Sequence, residues 1–431
     1  MKPMFVLSFV VLGLLSGCAT NPGGGSSWFE QPAVGAEAYY RESLRVLDDV
    51  RRDLPAIQRS AEKAAAIYCS TWEDYGIASE GSAVFYGELV GRSGGVMAIG
   101  AWWPRERGFR GVLLYCLRGP ELFAADLEDI AFFRGLGCKV FLFGPADLLE
   151  RAALCGVEVE GALAIPTNDV AGVSMYDFAS VAIGWTWTCE FVAACTRLGQ
   201  MPVMFQSIMV PTGMDRIHRN QLDPATSLRM YNKFEPQTVP PIAAGKLGAE
   251  WLDIAGQRLA TMYKSQTKPI QQAAQAAVDA RANGGALYLT GYTHVLGHIP
   301  TSKYNPPHFA PLPRMPKPDT TPAEGTPMLG PKDFVLGMGY NDLEWDLAKV
   351  DYVRQSGAKV AWSSTTFKPD RVKPRAGELF IAQPWEYGDA DVTVPGYDVK
   401  IAPTSGLISV EIYGMINAEI NAITQKQASD H

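Results

Sequence analysis

The sequence predicts an α/β protein made of two similar three-layer α/β/α domains, each a mainly parallel sheet flanked by helices and related to the other by internal duplication. Three observations predict it. The stretch GPELFAADLEDIAFFRGLGCKV from Gly119 to Val140 recurs 220 residues later as GYNDLEWDLAKVDYVRQSGAKV from Gly339 to Val360, with seven of 22 positions identical, among them Asp126/Asp346, Arg134/Arg354, Gly137/Gly357 and Lys139/Lys359. Each copy is preceded by an apolar run, GVLLYC from Gly111 or FVLGM from Phe334, and ends in a second one, the pattern of a βαβ unit. With 431 residues, 47% of them hydrophobic and only 19% charged, the chain is long enough for two cores and too apolar for disorder or a coiled coil.

The amino end reads as an export signal. Lys2 supplies the positive end, Phe5 to Leu15 is an apolar run too short to span a bilayer, and Leu15-Ser16-Gly17-Cys18 follows. This resembles a bacterial lipobox, which implies cleavage before Cys18, acylation of its thiol and a protein anchored to a membrane of the cell envelope. Ala19 after the cysteine points to the outer membrane, facing the periplasm; an ordinary cleaved secretory signal is the alternative. Residues 1–17 are therefore the signal and 18–35, rich in Gly, Ser and Pro, a flexible tether.

The first domain is expected over 36–210. It opens with a helical stretch from Glu37 to about Ser70, broken near Pro55, and closes with the apolar segment Met201 to Met209. A polar, proline-containing linker, 211–241, leads to the second domain, 242–425, whose opening helix from Lys246 to Asn283 ends at Gly284-Gly285 before a strand, Ala286 to Thr290, that enters a turn at Gly291. Pro300 to Pro331 holds ten prolines and cannot be a helix; a loop of this length is a lid or a partner arm. Of the cysteines beyond Cys18, none has CxxC spacing, and Cys116 and Cys138 sit in or beside buried strands, so Cys69, Cys116, Cys138, Cys155, Cys189 and Cys195 read as buried thiols more than as disulfides.

Net charge of −7 gives no basic footprint, so no nucleic-acid partner is expected. His294 and His298, four apart, and His308 have spacing that can hold zinc, but the glutamate of a metalloprotease is missing; no metal and no cofactor is assigned, and Thr293 and His294 face a ligand or the surface instead. Aromatic residues gather near turns, Trp102, Trp103, Trp185, Trp187, Tyr340, Trp362 and Trp385 among them; Trp385 and Tyr340 are expected exposed beside a cleft and the rest in cores.

The segment from Ala78 to Gly95 carries Ser82, Glu88, Leu89, Arg92, Gly94 and Gly95 in an order and spacing that resemble the SIS (sugar isomerase) family, and Gly388 to Ser405 with the helix that follows is similar to the closing part of SIS-domain proteins. The tandem arrangement resembles the isomerase half of glucosamine-6-phosphate synthase. SIS domains commonly pair, so the resemblance implies either a homodimer or the same interface met within one chain. It also implies a sugar site at the carboxyl ends of the strands, with Ser79, Ser82 and Arg118 from one half and Thr293, Tyr340, Asn341 and Trp385 from the other as ligand contacts. Glu88 would be a proton-shuttling base and His294 a ring-opening acid. The residues alone allow a plainer reading, in which Ser82 caps a helix and Glu88 pairs with Arg92. The second Ser/Thr turn that grips phosphate in the family is absent: Leu117-Arg118-Gly119-Pro120-Glu121 and Gly337 to Asp342 stand there, and Glu121 and Asp342 would repel a phosphate. Three functions follow as expectations: a binder of a sugar or sugar-acid derivative with degenerate phosphate turns, an aldose/ketose isomerase using Glu88, or an envelope scaffold with a vestigial pocket.

Overall fold

A computed structural model describes residues 33–70, 76–100, 111–222, 231–292, 294–295, 297–299, 302, 304, 308–313, 328–339, 344–365, 374–386 and 388–430. The expected signal, Cys18 and the tether as far as Pro32 lie outside the described residues, as do Trp102, Trp103, Thr293, Tyr340 and Asn341, while Val34 and Gly35, expected in the tether, already belong to the first helix.

The first sheet contains β1 (Ile77–Gly81), β2 (Ile99–Gly100), β3 (Val112–Cys116), β4 (Lys139–Gly144) and β5 (Gly161–Ala164), all parallel, in the order β2-β1-β3-β4-β5. After a short hairpin of β6 (Asp169–Val170) and β7 (Val173–Ser174), the second sheet contains β8 (Leu287–Tyr292), β9 (Ala310–Pro311), β10 (Phe334–Gly339), β11 (Lys359–Thr365) and β12 (Leu379–Gln383) in the order β12-β11-β10-β8-β9, again parallel. Counted from the opening strand of each half, the two orders are the same, 2-1-3-4-5. Duplication explains both.

Each sheet is covered on both faces, which is why its central strands read as unbroken apolar runs. In the first, Ile77, Val112, Leu114, Cys116, Phe141 and Phe143 face a central layer of helices: α1 (Val34–Arg52), α2 (Leu54–Ser70), α3 (Ala83–Leu89) and α6 (Tyr176–Arg197). Leu113, Tyr115, Val140 and Leu142 face outwards onto Phe123, Ile130, Phe133 and Leu148 of α4 (Phe123–Gly135) and α5 (Ala146–Leu154). In the second, Leu287, Leu289, Leu336, Met338 and Ile381 face the same central core, which adds α8 (Lys246–Ala282) and α10 (Ser405–Ser429), and Val335, Val360 and Trp362 pack on Val350 and Val353 of α9 (Glu344–Ser356). Each fully buried Leu, Ile or Phe contributes about 1.5–3 kcal/mol. Helix α6 is buried from Tyr176 to Thr196 on all sides; it is long and apolar enough to cross a membrane, but here it is the spine shared by the two halves.

Two polar devices repeat with the fold. Arg134 pairs with Glu158, and Arg354 with Glu378 at 2.8 Å, so the repeated arginine closes the same ion pair in each copy. Glu190 of α6 accepts the backbone N–H groups of Gly245 (2.7 Å) and Gly248 (2.9 Å) at the amino end of α8, and Glu419 of α10 accepts those of Gly35 (2.9 Å) and Ala36 (3.0 Å) at the amino end of α1. Both glutamates occupy the same place along the closing helix of their half, and each caps the opening helix of the other half. The carboxylates satisfy orphan donors and face the positive end of the helix dipole.

Several expectations need correction. Gly339 ends its strand whereas Gly119 lies beyond the end of β3, so this matched pair does not superimpose. The linker contains a helix, α7 (Pro211–Asn220), begun by a proline whose missing N–H costs nothing there. The proline-rich segment, described only in part, lends the edge strand β9 to the second sheet, and Pro311 is tolerated because it lies at the edge. Cys155 is exposed and Cys69 partly so, while Cys116, Cys138, Cys189 and Cys195 are buried thiols.

Candidate functional site

In a 2-1-3-4-5 sheet the connections leave strands 1 and 3 in opposite directions, and the gap at their carboxyl ends is where such folds take ligands. In the first half that gap lies between Gly81 and Cys116, which are register partners; in the second it lies between Gly291 and Met338. The chain turns there through glycines at φ +90 and +136, and an added Cβ would sit 2.0 Å from the Cys116 oxygen or 1.7 Å from that of Met338. Only glycine fits either turn. Thr293, Tyr340 and Asn341, expected at the second gap, lie outside the described residues, so the first gap carries the detail.

Ser79 and Ser82 come to this first gap, one on β1 and the other just beyond it. Ser82 stands at the N-cap position of α3 and its backbone N–H donates to the Cys116 oxygen at 2.7 Å, yet its side chain makes no cap; it bonds the Cys116 thiol instead. The buried Ser79 hydroxyl has no hydrogen-bond partner among the described residues. Arg118, expected as a ligand contact, is turned away: Nε meets Asp126 Oδ1 at 2.5 Å, Nη2 meets Asp129 at 3.0 Å, and its own backbone N–H donates to Asp126 at 2.9 Å. Tyr115 adds a hydroxyl bond to Asp126 at 2.9 Å. The guanidinium is thus neutralised by two carboxylates, and burial holds Asp126 above the usual carboxylate range despite Arg118.

The proline-rich segment reaches over this gap. Tyr304 stacks on Tyr176 with ring centroids 3.8 Å apart, lies 3.5 Å from where a Cβ on Gly119 would be, and has a buried hydroxyl with no partner among the described residues; Ser302 donates to Asp177 at 3.0 Å. Tyr176 in turn donates to the Leu117 carbonyl and faces the Cys116 thiol at 3.1 Å. Sequence reasoning missed Tyr176 and Asp177, and placed Tyr304 in the proline-rich lid or arm without assigning it a contact. Only the position of Tyr304 in an otherwise apolar-poor, proline-rich stretch hinted at a contact.

A second cluster collects the residues that carried the SIS resemblance. Glu88, 1% exposed, accepts from Trp185 Nε1 (3.0 Å) and pairs with Arg92 (3.1 Å); Arg92 reaches Asp389 (2.6 Å) and Ser405, whose hydroxyl donates to Asp389 at 2.7 Å. Gly94 lies against Ala402, and the Ala402 N–H donates to the Gly94 carbonyl at 2.9 Å. The two segments recognised separately in sequence, 78–95 and 388–405, therefore form one joint between the first half and the start of α10. Burial raises the proton affinity of Glu88, opposed by Arg92 and Trp185. The Glu88 carboxylate lies on the Cα of Gly406, leaving no room there even for a methyl group.

His294 and His298 come up from the second half. His298 covers Gly87, and its ring lies 5.1 Å from that of Tyr86. Desolvation, the nearby Arg92 charge and His298 push His294 down to about 3, so it is neutral at physiological pH. Among the described residues no group of three or more His, Cys, Asp or Glu side chains could hold a metal. Trp385, expected exposed, is 1% exposed and donates to Gln383; it belongs to the core because β12 carries the chain back under α8 rather than out to a cleft. Trp185, Trp187 and Trp362 are likewise buried, the first two inside α6 rather than near turns.

No family model matches the chain, and no curated protein matches it. Among solved structures, the C-terminal domain of glucosamine-fructose-6-phosphate aminotransferase from Francisella tularensis is similar over 91% of this chain and 98% of its own, at 11% identity and a TM-score of 0.49. A Salmonella typhimurium LT2 protein described as sugar-binding covers 89% of this chain and 99% of its own (10% identity, TM-score 0.47), and a Silicibacter pomeroyi DSS-3 protein described as a phosphosugar isomerase covers 90% and 98% (15% identity, TM-score 0.43). The architecture expected from the SIS resemblance, a pair of duplicated α/β/α units with parallel sheets, is the architecture that the strand orders of this chain display.

Proposed function

We propose that this chain is a lipid-anchored, extracytoplasmic SIS-like protein that binds a sugar or sugar-acid derivative at the carboxyl ends of its sheets and does not isomerise sugar phosphates. The observation that carries this reading is the state of Arg118. Its charge is taken up by Asp126 and Asp129, and the Ser82 hydroxyl is turned to Cys116, so neither side chain is left to grip a phosphate in the first gap. A gap whose arginine is already paired suits the hydroxyl groups of a sugar or sugar acid better than a phosphate. Glu88 is 1% exposed beneath Trp185, Arg92 and Gly406, which puts a base at that position out of reach of a substrate.

A thermal-shift screen of the purified chain against neutral sugars, sugar acids and sugar phosphates tests it. A ligand at a hundred times its dissociation constant stabilises by about 2.7 kcal/mol. A shift with neutral sugars or sugar acids, lost on Ser79→Val, is the expected outcome. The largest shift with a sugar phosphate would overturn the reading, and silence from every class would leave the envelope scaffold in its place. Detergent-phase partitioning that survives Cys18→Ala would remove the anchor from the proposal.

A further inference from the structure

Cys69 is the penultimate residue of α2 and Cys195 lies in the last turn of α6. These helices pack along their length: Trp187 donates to Ser60 at 3.1 Å and Tyr68 meets Phe191 edge to face at 5.4 Å. Their carboxyl ends bring the two sulfurs to 3.7 Å, van der Waals contact between residues 126 apart in sequence. Closing to a bond of about 2.05 Å is a movement of side-chain size. Cys69 is partly exposed while Cys195 is fully buried. Beside them Lys233 donates to the Tyr68 carbonyl at 2.8 Å, and its ammonium lies 4.4 Å from the centre of the Tyr68 ring. The other described cysteines are placed differently: Cys116 faces the Tyr176 hydroxyl and Cys155 is out on the surface.

We propose that Cys69 and Cys195 are a redox-active pair, with Cys69 as the attacking thiol and Cys195 as the resolving one, which an external disulfide oxidant converts into a staple joining α2 to α6. The Cys69 thiolate attacks one sulfur of the oxidant, expelling a thiolate and leaving a mixed disulfide at the exposed position. The Cys195 thiolate then attacks the Cys69 sulfur and expels the second thiolate. Two protein thiols lose two electrons and two protons, and one small disulfide becomes two thiols. The asymmetry is built in: the contact with Cys195 and the Lys233 charge hold the Cys69 thiol below its ordinary value against burial, whereas burial pushes Cys195 well up. An exported chain would meet such oxidants outside the cytoplasm.

The test incubates the intact chain with oxidised glutathione, blocks remaining thiols in denaturant, and maps peptides by mass spectrometry without reduction. The expected product is a linked pair of peptides carrying Cys69 and Cys195, two hydrogens lighter than the separate peptides, with a thermal transition higher than that of the reduced chain. In Cys195→Ala the glutathione adduct should accumulate on Cys69; in Cys69→Ala the buried Cys195 should take none. Glutathione on Cys155 alone, with Cys69 and Cys195 both alkylated after unfolding, would overturn the proposal. The mapping uses the unaltered chain and so decides the matter even where a variant fails to fold.

Discussion

The two halves share a strand order and differ where their strands end. In the first, the turn after β1 starts the short helix α3, and Glu88 on it is locked to Arg92 and Trp185; in the second, the segment after β8 has no described α-helix and presents His294 and His298. Counted from the strained glycines Gly81 and Gly291, Glu88 and His298 occupy matching positions, and His298 lies against Gly87. What stayed alike after duplication is the framework: the Arg134–Glu158 and Arg354–Glu378 pairs and the Glu190 and Glu419 caps. What changed is the chemistry at the carboxyl ends, where a fold can vary its ligand without altering its core.

The comparison is broken most severely at the joint that Arg92 makes with the start of α10. Arg92→Met leaves the buried carboxylates of Glu88 and Asp389 without their cation, and should cost about 3–5 kcal/mol in urea unfolding; a loss below about 1 kcal/mol would mean that the cluster is not the joint between the first half and α10. The caps give a sharper comparison. Glu190→Ala and Glu419→Ala each strip two helix-initiating N–H groups of a charged acceptor, and each should lower stability by about 2–3 kcal/mol. Equal losses are the signature of duplicated function, and one silent site would show that the two interfaces have drifted apart.

The smallest effect comes from the repeated arginines. Arg134 and Glu158 are 35% and 85% exposed, whereas Arg354 and Glu378 are 11% and 10% exposed. Arg134→Ala should change stability by less than about 0.5 kcal/mol and Arg354→Ala should cost about 1 kcal/mol. Burial pushes Glu378 upwards, but bonds from Arg354 and the Arg375 N–H outweigh it and hold the carboxyl below its ordinary value. A depressed carboxyl contributes its stability above the unfolded value, about pH 4.3, and loses it as pH falls through the folded one. Acid titration of Arg354→Ala should therefore show a shallower loss below that pH than the parent chain does.

The repeat was legible because a βαβ unit writes itself in apolar runs and glycines: Gly137 and Gly357 both adopt left-handed turns, at φ +93 and +74, and Lys139 and Lys359 both open a strand. The pairing of Glu88 with Arg92, the plainer of two readings of that motif, forms as expected, although the helix ends at Leu89 and Arg92 reaches Glu88 from beyond it, so helical spacing is not its cause. The partners of that pair were not legible, because Asp389 and Ser405 are far away in sequence and nothing local marks their approach. Trp385 misled for a related reason: a tryptophan in a turn-rich stretch reads as surface until the fold places α8 over it. The reciprocal caps were invisible too, since a glutamate inside an apolar helix gives no sign of which helix end it will meet.

Those caps have a consequence for the chain's history. Each half completes the other by the same contact taken in both directions, which is the rule of an isologous dimer, where residue i of one subunit meets residue j of its partner and j meets i. The chain carries that pattern inside a single polypeptide, so the surfaces a lone half would offer to a twin are already enclosed. Any assembly of whole chains must be built on other faces.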